Sequence, residues 1–202
     1  MAEKKTEGSW SHAEFEGNEL GDRRLNERVK RLAEDFSGQP LASINQASED
    51  WADTKAASRF FANERVRGEE ILQAHRKRVE ARMRGQKVVL AIQDTTELDY
   101  PAHRKTSGLG PIGNYREGAA GIMLHTTLAL TGQGIPLGVL AQQRWVRDEV
   151  PRQEASEPKR QPLSAKESSK WLAALGTTME RVPQGVQVIT VGDREADLFE
   201  FC

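Results

Sequence analysis

Five consecutive apolar residues, Val88-Val-Leu-Ala-Ile92, cut this sequence into two unlike halves. So short and uniform a run fits a strand buried on both faces, the kind found in α/β folds. Upstream, apolar residues recur at helical spacing. Leu20, Leu25, Val29, Leu32 and Phe36 lie near i, i+4 and i+7 in a pattern from Trp10 to about Phe36. Gly38-Gln-Pro40 breaks it. Ser48 to Asn63 is a second amphipathic segment, with Trp51, Ala56, Ala57, Phe60 and Phe61 as its apolar members. Gly68 to Met83 is a third, rich in Arg and Glu.

Downstream the pattern is mixed. Ile122–Leu130 and Ile135–Val146 read as strands joined by the hairpin turn Thr131-Gly-Gln-Gly134. Residues 148–163 are charged and proline-bearing, a surface loop. Ser164-Ala-Lys-Glu167 fits a capping box, and the helix after it is expected to bury Trp171, Leu172, Leu175 and Met179. Val186–Val191 makes a fourth strand, ending at Gly192-Asp193, and a further helix is expected from Glu195. Hairpin-linked strands followed by a helix crossover predict an α/β domain with a mixed sheet. The expected organisation is a tail over 1–9, a helical domain over 10–86 and a sheet domain over 87–202.

Composition narrows the function classes. With 37% hydrophobic and 29% charged residues the chain folds and buries a core. Its one cysteine, Cys202, excludes an internal disulfide and a cysteine-ligated zinc cluster. No apolar run reaches membrane-spanning length and the N-terminus has no apolar signal segment, so a cytoplasmic protein without membrane contact is expected. Net charge is −1, so a nucleic-acid surface has to come from local clusters. Two exist. Arg23, Arg24, Arg28, Lys30 and Arg31 form one; Arg76, Lys77, Arg78, Arg82, Arg84 and Lys87 form the other. Lys55 and Arg59 lie one turn apart on a predicted helix. Such residues neutralise phosphates, or they decorate a solvated helix face. Arg23 or Arg24 could equally brace the fold through Asp22.

Asp94 and Asp193 both follow apolar strands, and strand ends are where α/β folds place chemistry. On neighbouring strands, two carboxylates could share Mg²⁺ or Mn²⁺, which prefer hard oxygen ligands. Two such ions would clamp the attacking and leaving oxygens of a phosphoryl transfer. The plainer alternatives are a helix N-cap for Asp193 and an ordinary turn for Asp94-Thr-Thr.

Four blocks sharpen this reading. Ile92-Gln-Asp94-Thr-Thr-Glu-Leu98 resembles the "DTT" block of DDE transposases of the insertion-sequence-4 family, the transposon-5 type. Val191-Gly-Asp193-Arg-Glu-Ala-Asp197 resembles their "DREAD" block. Lys166-Glu-Ser-Ser-Lys170-Trp171 is similar to the "KES-x-KW" stretch, and Leu20-Gly-Asp-Arg-Arg24-Leu25 to the "LGD-x-R" signature of the N-terminal domain. The blocks occur in the family's order and span nearly the whole chain. The resemblance implies a helical domain that recognises transposon ends, followed by a ribonuclease-H-like catalytic fold. Asp94 and Asp193 would be two members of an acidic triad holding two Mg²⁺ ions. The expected partners are double-stranded DNA at terminal inverted repeats and a second copy or a full-length transposase.

The family's third carboxylate lies well downstream of the second aspartate, in a spaced Tyr/Arg/Glu/Lys signature. Tyr115-Arg-Glu117 is contiguous and lies between the two aspartates, so Glu117 is not that ligand. Glu195 and Asp197 fit capping or salt-bridging better. The expectation is a catalytic fold truncated before its third acidic residue and inactive alone. The alternatives are a non-catalytic DNA-binding remnant or inhibitor acting on transposon ends, and a metal-dependent nuclease or phosphatase unrelated to transposition.

Overall fold

Two glycines divide the first helical stretch. In a computed structural model describing residues 9–101, 106–113, 119–148 and 167–197, the single helix expected from Trp10 to Phe36 is two: α1, Trp10–Glu14, and α2, Arg23–Gly38. Between them Gly17 and Gly21 take φ of 76° and 73°. That left-handed region cannot continue a helix, and residues with a Cβ avoid it. Asp22 then opens α2 by accepting from the Arg24 backbone N–H at 2.7 Å. Two more helices follow. These are α3, Ile44–Ala47, and α4, Trp51–Phe61, the latter capped by the Asp50 carboxylate on the Asp53 N–H. Helix α5 covers Gly68–Met83, as its sequence predicts. Leu20, Val29, Leu32, Ala57 and Phe60 form the core here, with Phe15, Leu25, Phe36, Val66 and Ile71 packed against them.

The chain forms two compact units, Met1–Arg78 and Val79–Cys202. The division falls inside α5, whereas the change of sequence pattern comes at 86/87.

Among the described residues the second unit is built on five strands: β1 Val88–Asp99, β2 Gly110–Pro111, β3 Ala120–Thr131, β4 Pro136–Trp145 and β5 Gln187–Val191. Strand β3 pairs antiparallel with β1, β2 and β4, while β1 pairs parallel with β5. The sheet is therefore mixed and the protein α/β. Strand β1 is longer than its apolar run. It continues through Asp94-Thr-Thr to Asp99 because β3 pairs with it as far as Asp99↔Gly121. The turn reading of Asp94-Thr-Thr is thus corrected; two β-branched threonines suit an extended strand.

One face of the sheet is the core. Val79, Met83, Val89, Ala129, Leu137 and Leu140 pack together. Helix α6, Ser169–Met179, adds Trp171, Ala174 and Thr178. Met179, expected to point inward, is 55% exposed. Trp171 fixes the buried stripe, and positions three and seven residues on complete it. On the other face Leu90, Ile92, Leu124 and Leu128 are half-buried, and Ile189 and Val191 are exposed. The helix expected from Glu195 begins as a 3₁₀ turn, Arg194–Ala196. Glu117, most of the 148–163 loop, Ser164 to Lys166 of the capping box, and Cys202 lie outside the described residues. No helix among the described residues is long and apolar enough to cross a membrane.

Candidate functional site

Strand register relates Asp94 and Asp193. β1 and β5 pair in parallel from Val88↔Gln187 to Ile92↔Val191. Two residues beyond that last pair stand Asp94, still within β1, and Asp193, past the end of β5, both exposed. Each carboxylate is steadied by a nearby backbone N–H at 2.8 Å: Asp94 Oδ1 accepts from Thr95 and Asp193 Oδ1 from Glu195. The N-cap reading of Asp193 therefore holds. Gly192 makes room for this arrangement. A Cβ there would stand 2.7 Å from the Ala196 Cβ and 3.0 Å from the Trp171 ring.

These carboxylates are hard oxygen donors of the kind Mg²⁺ and Mn²⁺ take. They are two rather than a full set. Among the described residues no group of three His, Cys, Asp or Glu side chains could hold a metal by itself.

A polar layer lies within the sheet's core face. His125 of β3 is 1% exposed and sits edge-on to Trp171 with ring centroids 4.6 Å apart. Its Nδ1 is 2.9 Å from Thr95 Oγ1 and its Nε2 is 3.1 Å from Gln93 Oε1. Burial, with help from the Lys170 charge, pushes the imidazole down to about 4, against the pull of Asp94, Asp193 and Glu195. Lys170, from the Lys166–Trp171 block, is 8% exposed. Its ammonium bonds Glu195 at 3.0 Å and lies 5.7 Å from the rings of both Trp145 and Trp171. Glu195 thus forms a salt bridge, as its position suggested. Arg147 binds Glu167 through two nitrogens and reaches Glu97 at 3.3 Å; the Glu167 bond raises its pKa further.

The first basic cluster separates into two kinds of residue. Arg28 bonds Asp53 at 3.2 Å, Arg31 bonds Asp53 and Glu49, and Lys30 bonds Glu27 at 2.8 Å. These three are engaged within the fold. Arg23 and Arg24 are exposed at the start of α2. Asp22 bonds the Arg24 backbone in a cap. On α4, Lys55 and Arg59 are exposed, and the Lys55 ammonium lies 5.4 Å over the Trp51 ring. Trp51 is 66% exposed, not part of the core as its amphipathic segment suggested. Thr54, Ala57 and Phe60 fill the inward face, and Trp51 shares the opposite face with Lys55 and Arg59, four and eight residues on. The helical wheel alone carried that signal, but hydrophobicity pointed the other way.

In the second cluster, Arg76 is buried on Glu69, Arg78 pairs with Glu16, and Arg82 donates to the Leu137 carbonyl at 2.7 Å. Lys77, Arg84 and Lys87 remain exposed.

Residues 7–66 match the family described as transposase DNA-binding. The chain therefore carries a transposase-type N-terminal DNA-binding domain. The match covers α1 to α4 and includes the Trp51-Lys55-Arg59 face. The DNA-binding domain is helical, and a mixed five-stranded sheet follows it.

Proposed function

We propose that this protein is a DDE transposase of the insertion-sequence-4 type, with a DNA-binding domain over 10–86 and a ribonuclease-H-like catalytic domain over 87–202. The observation that supports the reading is the parallel β1–β5 register, whose last pair, Ile92↔Val191, lies two residues before Asp94 and Asp193, downstream of a transposase DNA-binding domain. The DNA substrate is a transposon's terminal inverted repeat, and a second copy or a full-length transposase pairs two ends. The work is cytoplasmic.

The helical domain takes the phosphate backbone. Arg23, Arg24, Lys55 and Arg59 offer exposed cations to it, and Trp51 supplies an apolar surface between them. Asp94 and Asp193 would hold divalent metal, and a bound Mg²⁺ or Mn²⁺ would supply the activation of the attacking hydroxyl and the charge neutralisation at phosphate that cutting and strand transfer need. The residues' own part is to fix where that charge sits, through carboxylates locked by the Thr95 and Glu195 amides.

Titration of the chain with Mn²⁺, followed by electron paramagnetic resonance, tests the catalytic half. Binding is expected to fall at least tenfold in Asp94→Ala and in Asp193→Ala, with DNA binding unchanged. Mn²⁺ affinity equal in wild type and both variants, alongside intact DNA binding, would sink the catalytic reading. It would leave a non-catalytic protein that occupies transposon ends.

A further inference from the structure

We infer that His125 is a positioning residue for Asp94, gripping the residues on either side of it from the neighbouring strand. The inference rests on the metal-site reading of Asp94. Gln93 and Thr95 flank Asp94 on β1, and alternation turns their side chains to the core face while Asp94 faces away. His125 stands directly opposite Thr95 in the β1–β3 register. Its two ring nitrogens reach Thr95 Oγ1 at 2.9 Å and Gln93 Oε1 at 3.1 Å.

The proton placement follows from the partners. Gln93 Oε1 can only accept, so Nε2 carries the imidazole hydrogen. Nδ1 is then the acceptor, and the Thr95 hydroxyl donates to it. One residue therefore ties down both neighbours of Asp94. The Thr95 backbone N–H in turn donates to Asp94 Oδ1 at 2.8 Å. The route from His125 to the carboxylate is a side-chain bond, then a backbone bond.

The layer is stiff because it is buried. Gln93, His125 and Thr127 are each at most 2% exposed, and the Trp171 ring closes the His125 edge. A buried imidazole with both nitrogens engaged has one orientation available. Metal sites depend on this kind of support, since carboxylates that are not held lose ligand geometry.

The test uses the full chain, with Mn²⁺ alone as the probe and hydrogen exchange of the Thr95 amide as a second readout. Thr95→Val removes the hydroxyl and keeps the shape. His125→Phe keeps an edge against Trp171 and removes both ring nitrogens. Each is expected to weaken Mn²⁺ binding several-fold, and His125→Phe to speed exchange of the Thr95 amide. The double variant is expected to be no worse than the worse single one, because both cut the same connection. His125→Asn is the rescue. Its carbonyl oxygen can accept from Thr95, but the smaller side chain leaves a cavity. It is expected to melt below His125→Phe yet bind Mn²⁺ more tightly. If Mn²⁺ affinity instead follows melting temperature across these variants, His125 is a core residue only and the inference is overturned. Should wild type bind Mn²⁺ no better than Asp94→Ala, it is the metal reading that fails. The Thr95 amide then decides alone: faster exchange in His125→Phe supports the grip on Asp94, and wild-type exchange overturns it.

Discussion

The two units of this protein arrange their buried polar residues differently. In the helical unit the core of Leu20, Val29, Leu32, Ala57 and Phe60 is apolar, and buried polar side chains sit in separate pairs: Ser11 with Glu34, Glu14 with His75, and Arg76 with Glu69. In the sheet unit they gather on one face. Gln93, His125, Thr127, Lys170 and Thr178 are all buried, on or against the face that carries Trp171. The difference reflects what each unit presents. A helix offers cations to DNA from its outer face, so its apolar core needs only packing. A carboxylate on a strand takes its direction from the backbone beneath it, so the layer below has to be held by directional bonds.

Removing the large side chain at the centre of that layer should break the comparison most sharply. Trp171→Ala is expected to cost the sheet unit about 3–5 kcal/mol, the range for a buried Trp truncation. The helical unit's unfolding transition should stay in place. Two-probe denaturation, with circular dichroism of helix and exchange of sheet amides, separates them; equal shifts in both would show that the units do not unfold independently.

Acid should act on the sheet unit next. His125 has its folded pKa depressed to about 4 from 6.5. The unfolded state therefore binds more protons between those values, and stability falls as pH drops through that window. The loss is on the order of 3 kcal/mol by pH 4, and it levels off below. His125→Phe should remove this dependence. Denaturant midpoints of the two proteins at pH 7 and pH 4.5 measure it, and an equal acid loss in both would assign the effect elsewhere.

The helical unit contains its own contrast. Lys55→Ala and Arg59→Ala are each expected to lower DNA affinity and to reduce the slope of log affinity against log salt by about 1. Trp51→Ala should lower affinity with the slope unchanged, since it carries no charge. Arg28→Ala should do the reverse of the lysine variant. It gives up its Asp53 pair, costs up to about 1 kcal/mol of stability, and leaves the salt slope near wild type. A slope change for Arg28→Ala as large as that for Arg59→Ala would place both on the DNA.

Much of this was legible residue by residue. The periodicity of Gly68 to Met83 became α5 without change. The Thr131-Gly-Gln-Gly134 turn joined the strands it was expected to join. Trp171 and the salt-bridging Glu195 took the places their surroundings suggested. The misses share a cause. Charge clusters were read as surfaces, yet Arg28, Arg31, Arg76 and Lys170 found acidic partners. Those partners lie seven to 25 residues away in sequence, and that of Lys170 lies beyond the rest of α6 and the whole of β5. Trp51 was read as core because it is apolar, and it is exposed because a helix has only one inward face.

Local chemistry settled the kinds of element and where they start and stop. Glycines at positive φ, capping aspartates and a short apolar run act within a few residues, so they can be read along the chain. Pairing between distant segments could not be. The parallel pairing of β1 and β5 joins segments 99 positions apart in sequence, from Val88↔Gln187 to Ile92↔Val191, and it follows from which strands bury each other's edges. The same packing brought His125 between Gln93 and Thr95. A strand's own sequence specifies which side chains share a face, but only the sheet decides which neighbour stands opposite them.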